Sequence, residues 1–329
     1  MKTLIKNGLL IDSANQVQAY LNLILEDGKV VAVTEEEPEA DRVIDATGKV
    51  VAPGFIDIHM HEDPVKDGKI EFCIFDAMLR MGVTTAVGGN CGINVYDPVK
   101  YLDMVEKDGA PVNVMLFAGH QYFREAAGAL DKYAPVTKEQ QEHMKKGLEK
   151  ALEAGCVGIS YGLRYVPGTG RDEFLDTASC CEKEHRMISA HVRDDEDRVF
   201  GAVAEVAEAG KLYNIPVQVS HIGSMAGFGQ MKQLLRQVDG YRMNGIDVAC
   251  DCYPYFAFST RIGATTYDDG WLERYHCDYS ACQLTEGKYK GQRCTPETFA
   301  EMRRDFPECL TVCYVMDEND IRMAFADPG

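Results

Sequence analysis

The sequence predicts an α/β protein whose main body is a (β/α) barrel. Between residues 54 and 255, seven apolar runs with strand character alternate with stretches of helical character. Near-continuous apolar strands separated by helices are typical of a parallel sheet covered by helices. Most of these runs also end in a polar or reactive side chain. A barrel brings all such strand ends to one place, whereas an open sheet gathers them only at a crevice, so we expect a barrel.

The first fifty residues predict a separate, β-rich module. Short apolar or alternating runs there are interrupted by Asn-Gly, Asp-Gly and Thr-Gly dipeptides. These dipeptides favour tight turns between strands. We therefore place a β module at residues 1–52 and the barrel at residues 53–329.

The barrel elements follow from composition and from helix-end signals. The strand candidates are, in chain order, "GFIDIHMH", "TTAVGGNC", "NVMLFAGH", "VGISYGL", "MISAHVR", "PVQVSHI" and "DVACDCYPY". One helical stretch begins with Thr137 and Gln140 at the spacing of a capping box. Gly155, Gly210 and Gly245 follow helical stretches and predict that helices end there.

An eighth strand is not evident, although a complete barrel of this kind has eight. The run "CLTVCYV" at residues 309–315 has strand character, but it follows a long irregular segment and lacks a polar end. We therefore predict an incomplete barrel whose last strand is missing from the 329 residues. Residues 256–295 are expected to form an insertion or lid over the strand ends, because long loops in compact domains are commonly functional.

Charge and cysteine content exclude several classes of protein. The net charge of −18 would repel nucleic acid and anionic membranes. No apolar run is long enough to predict a membrane-spanning helix, and the first residues lack the pattern of a secretory signal. The twelve cysteines then predict reduced core thiols rather than a disulfide scaffold. We expect a cytoplasmic protein that acts on a small molecule, with an oligomeric state that the sequence does not define.

Histidines at strand ends predict a metal centre. His59 and His61 are two positions apart on the first strand candidate, so their side chains would project from one face. His191 and His221 end the fifth and sixth candidates, which puts four of the eight histidines at three strand ends. Each alone is more often a hydrogen-bonded core histidine, but the set favours metal ligands.

Cys91, at the end of the second strand candidate, adds a soft donor to this set. Alone it would be interpreted as an ordinary buried cysteine. With the histidines it favours Zn²⁺ over Mg²⁺ or Ca²⁺, which prefer oxygen ligands. Asp57, behind the histidine pair, is expected to orient ligands rather than to bind metal. His120, at the third strand end, could be a ligand, a substrate contact or a structural histidine, and we favour a role in orienting ligands. The histidines expected at the surface are His143, His185 and His276.

These residues lie in strings that resemble the amidohydrolase superfamily and, within it, the N-acyl-D-amino-acid deacylases (D-aminoacylases). The matching strings are "VVAPGFIDIHMHED", "GVTTAVGGNCG", "GISYGLRYVPG", "AHVRDDEDR", "VSHI" and "DCYPYFAFST", in order from residue 50 to 260. The resemblance implies that residues 1–52 belong to a small β-sandwich that the family completes with its C-terminal segment. It also implies a metallohydrolase barrel.

The resemblance assigns roles to the candidate ligands. It implies a tightly held zinc on Cys91, His191 and His221. His59 and His61 would form a second, weaker metal position, with the cysteine able to bridge. Other branches bridge their metals with a carboxylated lysine at the fourth strand, where this chain reads "GISYGLR". The missing lysine disfavours dihydroorotase or hydantoinase chemistry.

The resemblance also indicates how a substrate carboxylate would be bound. Tyr253 and Ser259 match family contacts to that group. The family lysine that follows the sixth-strand histidine is replaced by Gly223. Arg193 or Arg261 is expected to supply the missing positive charge.

The catalytic base of the family is an aspartate on the eighth strand. This sequence has no matching string, so the base is expected beyond Gly329. Asp327, in "ADPG", precedes such a strand rather than ending it and is not assigned the role. Asp57, Asp194 and Asp195 are the remaining carboxylate candidates, and each is expected to orient ligands or Arg193 instead. The role of catalytic base is therefore assigned to no residue of this sequence.

The sequence therefore predicts a zinc-dependent hydrolase that cleaves N-acyl amide bonds of amino acids with a metal-activated water. Amide hydrolysis at neutral pH needs such a nucleophile and a base to move its proton. Two alternatives stay open. One is a hydrolase of cyclic amides, and the other is a catalytically impaired fragment that only binds metal.

Overall fold

The computed structural model describes residues 1–327, which divide into two compact units. The first unit comprises Met1–Phe55 and Gly82–Thr84, and the second comprises Ile56–Met81 and the chain from Thr85 onward. No helix in the described part of the chain is both long and apolar enough to span a membrane.

The first unit consists of short strands in two sheets. The strands are β1 (Lys2–Lys6), β2 (Leu9–Asp12), β3 (Val17–Tyr20), β4 (Asn22–Glu26), β5 (Lys29–Thr34), β6 (Arg42–Asp45) and β7 (Val50–Val51). One sheet has the order β5-β4-β1-β6 and the other the order β3-β2-β7. The predicted Asp27-Gly28 turn joins β4 to β5, and both of its residues have positive φ, as a tight hairpin turn requires. The family's sandwich arrangement and the boundary at residue 52 stay predictions.

The second unit is built on one curled sheet. The strands in this part of the chain are β8 (Phe55–Asp57), β9 (Val65–Lys66), β10 (Lys69–Ile70), β11 (Val83–Gly88), β12 (Asn113–Gly119), β13 (Gly158–Gly162), β14 (Met187–His191), β15 (Val217–Val219) and β16 (Val248–Cys250). β9 and β10 form a separate ribbon, and the others form a sheet in the order β16-β15-β14-β13-β12-β11-β8. Neighbouring strands from β11 to β16 pair in parallel. All seven predicted strands are confirmed as members of one sheet, whose edges within residues 1–327 are β8 and β16.

Helices connect the strands of this sheet. They are α1 (Ile74–Arg80), α2 (Pro98–Asp108), α3 (His120–Ala126), α4 (Lys138–Glu153), α5 (Arg171–Ala178), α6 (Val199–Tyr213), α7 (Ile222–Ala226) and α8 (Met231–Met243). The capping box predicted for α4 is confirmed, because Thr137 and Gln140 exchange both of its hydrogen bonds. Gly155 and Gly245 follow α4 and α8 with positive φ, as predicted for helix ends.

The prediction that Gly210 ends a helix is wrong. α6 continues to Tyr213 and ends instead at Asn214, which adopts the left-handed conformation. A Cβ atom on Gly210 would lie 2.6 Å from Cγ2 of Val217 on β15. Gly210 is therefore needed for close contact between the helix and the sheet rather than for a turn.

This contact predicts opposite effects for two alanine substitutions in α6. Gly201→Ala places a methyl group in open space and should stabilise the protein by about 0.5–1 kcal/mol, because alanine is the better helix former. Gly210→Ala should destabilise it by about 1–3 kcal/mol, because overpacking outweighs that gain. Urea unfolding of both variants tests this, and an increase in stability for both would contradict the packing explanation.

The chain after β16 forms a small sheet of its own. Its elements are β17 (Phe258–Arg261), α9 (Trp271–Arg274), β18 (Cys282–Leu284), α10 (Pro296–Asp305), β19 (Leu310–Cys313) and α11 (Glu318–Ala326). β19, within the run "CLTVCYV", pairs antiparallel with β17 and β18. The insertion predicted at residues 256–295 therefore has its central strand beyond residue 295. All twelve cysteines are free thiols, as predicted, and seven of them are buried.

Candidate metal centre

Five predicted donors come together near the carboxyl ends of the strands. They form two groups that share Cys91, and within each group the donor atoms lie within 4.8 Å of one another. One group contains Cys91, His191 and His221, and the other contains Cys91, His59 and His61. The Cys91 Sγ atom lies 3.5 Å from His59 Nε2 and 3.6 Å from His221 Nε2.

The two groups differ in burial. Cys91, His191 and His221 are each less than a tenth exposed, at 3%, 5% and 9%. In the other group, His59 is partly buried and His61 is exposed. The first group therefore offers a more enclosed position for a cation than the second.

His59 and His61 reach this centre in a different way from the prediction. β8 ends at Asp57, so neither histidine lies on the regular strand. Their ring centroids are 6.2 Å apart, with the ring planes nearly perpendicular. The expectation that strand alternation alone would align the two side chains is wrong, because the loop after β8 places them.

A tight turn after β11 positions Cys91. Cys91 itself has φ +56°, a left-handed conformation that is costly for a residue with a side chain. Gly89 precedes it with φ +73°, and a Cβ atom there would lie 2.3 Å from the carbonyl oxygen of Phe117. Only glycine therefore fits at position 89, the second glycine of the "GGNCG" string.

The side chain of Asn90 fixes this turn. Its side-chain amide donates to the carbonyl oxygens of Val87 and Ile58 at 2.9 and 3.1 Å. Its Oδ1 atom accepts a hydrogen bond from Ser189 Oγ at 3.2 Å. The fully buried Asn90 thus links the turn to the first and fifth strands of the sheet.

Hydrogen bonds also fix the position of His221. It too is left-handed, with φ +35°. Its Nδ1 atom lies 2.8 Å from Ser224 Oγ, and its backbone N–H donates to Asp251 Oδ1 at 2.6 Å. With Nδ1 occupied by the serine, Nε2 is the nitrogen directed at Cys91.

Asp251 is the residue of the centre that the sequence reasoning missed. Its Oδ1 and Oδ2 atoms lie 3.2 and 3.3 Å from His59 Nδ1, and Oδ2 also accepts a hydrogen bond from Gln218 Nε2 at 2.9 Å. Burial opposes ionisation, but His59 and Gln218 hold the pKa of Asp251 below its ordinary value. The signal in the sequence is its place near the end of the seventh strand candidate, "DVACDCYPY".

The pKa shifts of His191 and Cys91 favour the protonation states that bind a soft cation. Burial and the neighbouring His221 lower the pKa of His191 to about 4, so this imidazole is neutral. Burial opposes a thiolate at Cys91, but His59 and hydrogen bonds from three histidines lower its pKa well below the ordinary value. His191 Nδ1 is buried and has no hydrogen-bond partner among the described residues. Neutral imidazole, thiolate and an unpartnered buried nitrogen are what a zinc site requires.

The predicted supporting residues have other contacts. Asp57 Oδ1 accepts a hydrogen bond from the backbone N–H of His59 at 3.0 Å, in line with an orienting role. His120 Nε2 lies 3.0 Å from Glu173 Oε1, which Arg124 also contacts at 3.2 Å. His120 therefore belongs to a buried ion cluster and hydrogen-bonds to none of the five donors.

The predicted substrate contacts are only partly gathered at the centre. Tyr253 is half-buried, whereas Ser259 lies on β17 and is exposed. Arg193 donates to both oxygens of Glu205 at 2.8 and 2.9 Å, and Arg261 forms an exposed ion pair with Glu308. The charges of both predicted arginines are therefore already matched.

Gly223 lies in α7 and leaves no room for a side chain. A Cβ atom there would lie 2.8 Å from Ile321 Cδ1 and 3.0 Å from Cys252 Sγ. A cationic side chain at this position would require the side chains of Ile321 and Cys252 to shift. The three remaining histidines are exposed, as predicted: His143, His185 and His276.

Comparison with known proteins supports the resemblance. A model of the amidohydrolase family matches residues 42–164. The N-acyl-D-glutamate deacylase and D-aminoacylase of Alcaligenes xylosoxydans xylosoxydans are 29% and 28% identical over 98% and 79% of this chain. The chain spans 71% of the first protein's length and 58% of the second's.

A solved structure extends this similarity to the fold. The N-acyl-D-glutamate deacylase of Bordetella bronchiseptica superposes with a TM-score of 0.84 at 27% identity, covering 99% of this chain and 74% of that chain. That enzyme was crystallised with zinc and a phosphonate inhibitor that mimics the tetrahedral intermediate of its reaction.

Proposed function

We propose that this chain, which belongs to the amidohydrolase family of hydrolases acting on amide C–N bonds, is a zinc-dependent deacylase of N-acyl-D-amino acids. The observation that carries the proposal is the pair of donor groups sharing Cys91, one enclosed and one open. Cysteine and histidine are preferred zinc ligands. We infer the substrate class, N-acyl-D-amino acids, from the deacylases to which the chain is similar.

The enclosed group would hold the more tightly bound metal on Cys91, His191 and His221. His59 and His61, with Cys91 shared, would hold a second and weaker one, because His61 is exposed. When bound, zinc supplies a Lewis acid that activates water and polarises an amide carbonyl.

The chain's own residues prepare the site for this chemistry. Ser224 fixes the His221 ring, and Asp251 fixes the His59 ring. Such partners set the orientation and basicity of metal-binding imidazoles. The buried position of Cys91 and His191 also excludes bulk water from one side of the centre.

We assign the general base to none of residues 1–327. Asp57 is bonded to the backbone of His59. Asp194 contacts Arg164, and Asp195 contacts both Tyr275 and Arg274. Each of the three carboxylates predicted as candidates therefore already has a structural partner.

Metal removal and return tests the proposed function. The zinc-loaded protein should release free amine from N-acetyl-D-amino acids, and treatment with a chelator should abolish the release until zinc is restored. The assay compares D and L enantiomers and includes a hydantoin. Turnover of the hydantoin alone would replace the proposal with a cyclic-amide hydrolase.

The controls separate binding from catalysis. His221→Ala should lose the tightly bound zinc, whereas His143→Ala, which changes an exposed histidine of α4, should keep it. Stoichiometric zinc in the wild type without turnover of any amide would contradict the deacylase proposal and leave a metal-binding protein.

A further inference from the structure

Arg164 is a cation at the strand ends whose hydrogen-bonding capacity is largely unused. It follows β13 by two residues, and the backbone N–H of the preceding residue, Leu163, donates to the carbonyl of His191 at 3.0 Å. The next residue, Tyr165, places its ring centroid 4.5 Å from that of His191. Arg164 is therefore next to the enclosed donor group.

The side chain of Arg164 is largely buried but poorly satisfied. It is 12% exposed, and its Nη1 atom makes one long contact of 3.4 Å with Asp194 Oδ1. Its Nε atom is fully buried and has no hydrogen-bond partner. Among the described residues, no hydrogen bond is made by Nη2 either, so the Nε–Nη2 edge of the guanidinium has no partner.

Other arginines in this region use the same edge. Arg193 donates from Nε and Nη2 to the two oxygens of Glu205. Arg274 Nε forms an ion pair with Asp195 Oδ1 at 3.2 Å without a hydrogen bond, and its Nη2 donates to the carbonyl of Thr266. The edge is the part of a guanidinium that matches a carboxylate with two parallel hydrogen bonds. Of these three, Arg164 alone has neither a hydrogen bond nor an ion pair at this edge within residues 1–327.

The backbone of Arg164 is also fixed in place. Its carbonyl oxygen accepts a hydrogen bond from Thr265 Oγ1 at 2.6 Å. This bond links the end of β13 to the chain segment after β17. Because its backbone is fixed and its guanidinium edge has no partner, Arg164 is suited to bind a charged ligand.

We propose that Arg164 binds the carboxylate of the substrate through its Nε–Nη2 edge. This inference rests on the proposed function and names the residue that selects N-acylated amino acids over simple amides. In such a substrate the carboxylate is close to the scissile amide. One end of the molecule then contacts Arg164 while the amide lies at the donor group beside it.

The test uses zinc-loaded protein and two non-hydrolysable probes. One is the phosphonate analogue of N-acetyl-D-leucine, and the other is the same compound with its carboxylate replaced by a carboxamide. Calorimetry measures both affinities for the wild type, Arg164→Met, Arg164→Lys and the control Arg186→Met, which changes an arginine before β14 that pairs with Glu184. Zinc content shows whether each variant keeps the centre.

Arg164→Met should bind the carboxylate probe about 10- to 100-fold more weakly, the range of a charged hydrogen-bonded pair, and the carboxamide probe with unchanged affinity. Arg164→Lys should fall between, because it keeps the charge but not the two-bond edge. Arg186→Met should match the wild type with both probes.

Two results overturn the assignment: equal weakening of both probes in Arg164→Met, or no weakening of either. Failure of the wild type to bind the carboxylate probe overturns it as well. Hydrolysis of N-acetyl-D-leucine is measured separately. Binding that depends on Arg164 without any hydrolysis would contradict the deacylase activity and leave the carboxylate site intact.

Discussion

Cys91→Ala is expected to remove bound zinc and, with it, all metal-dependent hydrolysis. Cys91 is the donor common to both groups, so its loss leaves two histidines in each. Removing a mere partner of a metal ligand costs about 10- to 100-fold in affinity, and the loss of this ligand should exceed about 100-fold. Zinc content after dialysis and amine release from N-acetyl-D-amino acids are the measurements.

Cys156→Ala is the matched control for this substitution. Cys156 is also a fully buried free cysteine, but it lies before β13, at the opposite end of the strand from the centre. Its replacement should lower stability without changing zinc content. If Cys91→Ala retains full zinc stoichiometry, the cysteine ligand assignment is wrong.

Asp251→Asn is expected to impair the centre without removing any donor. The asparagine keeps the shape but loses the charge that stabilises the His59 contact, and its amide cannot replace both carboxylate acceptors. We expect metal affinity or kcat/KM to fall about 10- to 100-fold. Zinc titration together with the steady-state constants measures this.

Asp247→Asn provides the comparison on the same strand. Asp247 is exposed and precedes β16, whereas Asp251 follows it and is largely buried. The Asp247 variant should match the wild type. An Asp251→Asn protein with unchanged zinc affinity and unchanged kcat/KM would show that the carboxylate only supports the fold.

The parts of the fold that follow a regular period could be predicted from the sequence. All seven strands of the sheet were visible because a parallel strand covered by helices is apolar throughout its length. Gly210 was misinterpreted because a glycine needed for close packing and a glycine that ends a helix look alike in sequence. Only the 2.6 Å distance to Val217 separates the two.

The candidate metal ligands could be predicted from the sequence where they come at or just after the end of a strand. Several histidines and a cysteine at strand ends are rarely all ordinary core residues. The grouping of Cys91 with the histidines could therefore be expected. Asp251 and Arg164 could not, because carboxylates and guanidiniums are common at loop starts and only their partners distinguish them. The Glu205 partner of Arg193 lies 12 residues away on α6, a contact that no local pattern indicates.

The left-handed backbones of Cys91 and His221 have a consequence for metal exchange. Both conformations are imposed by the surrounding hydrogen bonds and by close contacts at neighbouring glycines. The donors are therefore oriented by folding itself, and a cation has little rearrangement to induce on arrival. We therefore expect the fold to persist when a chelator removes the metal, and the emptied site to accept other divalent ions.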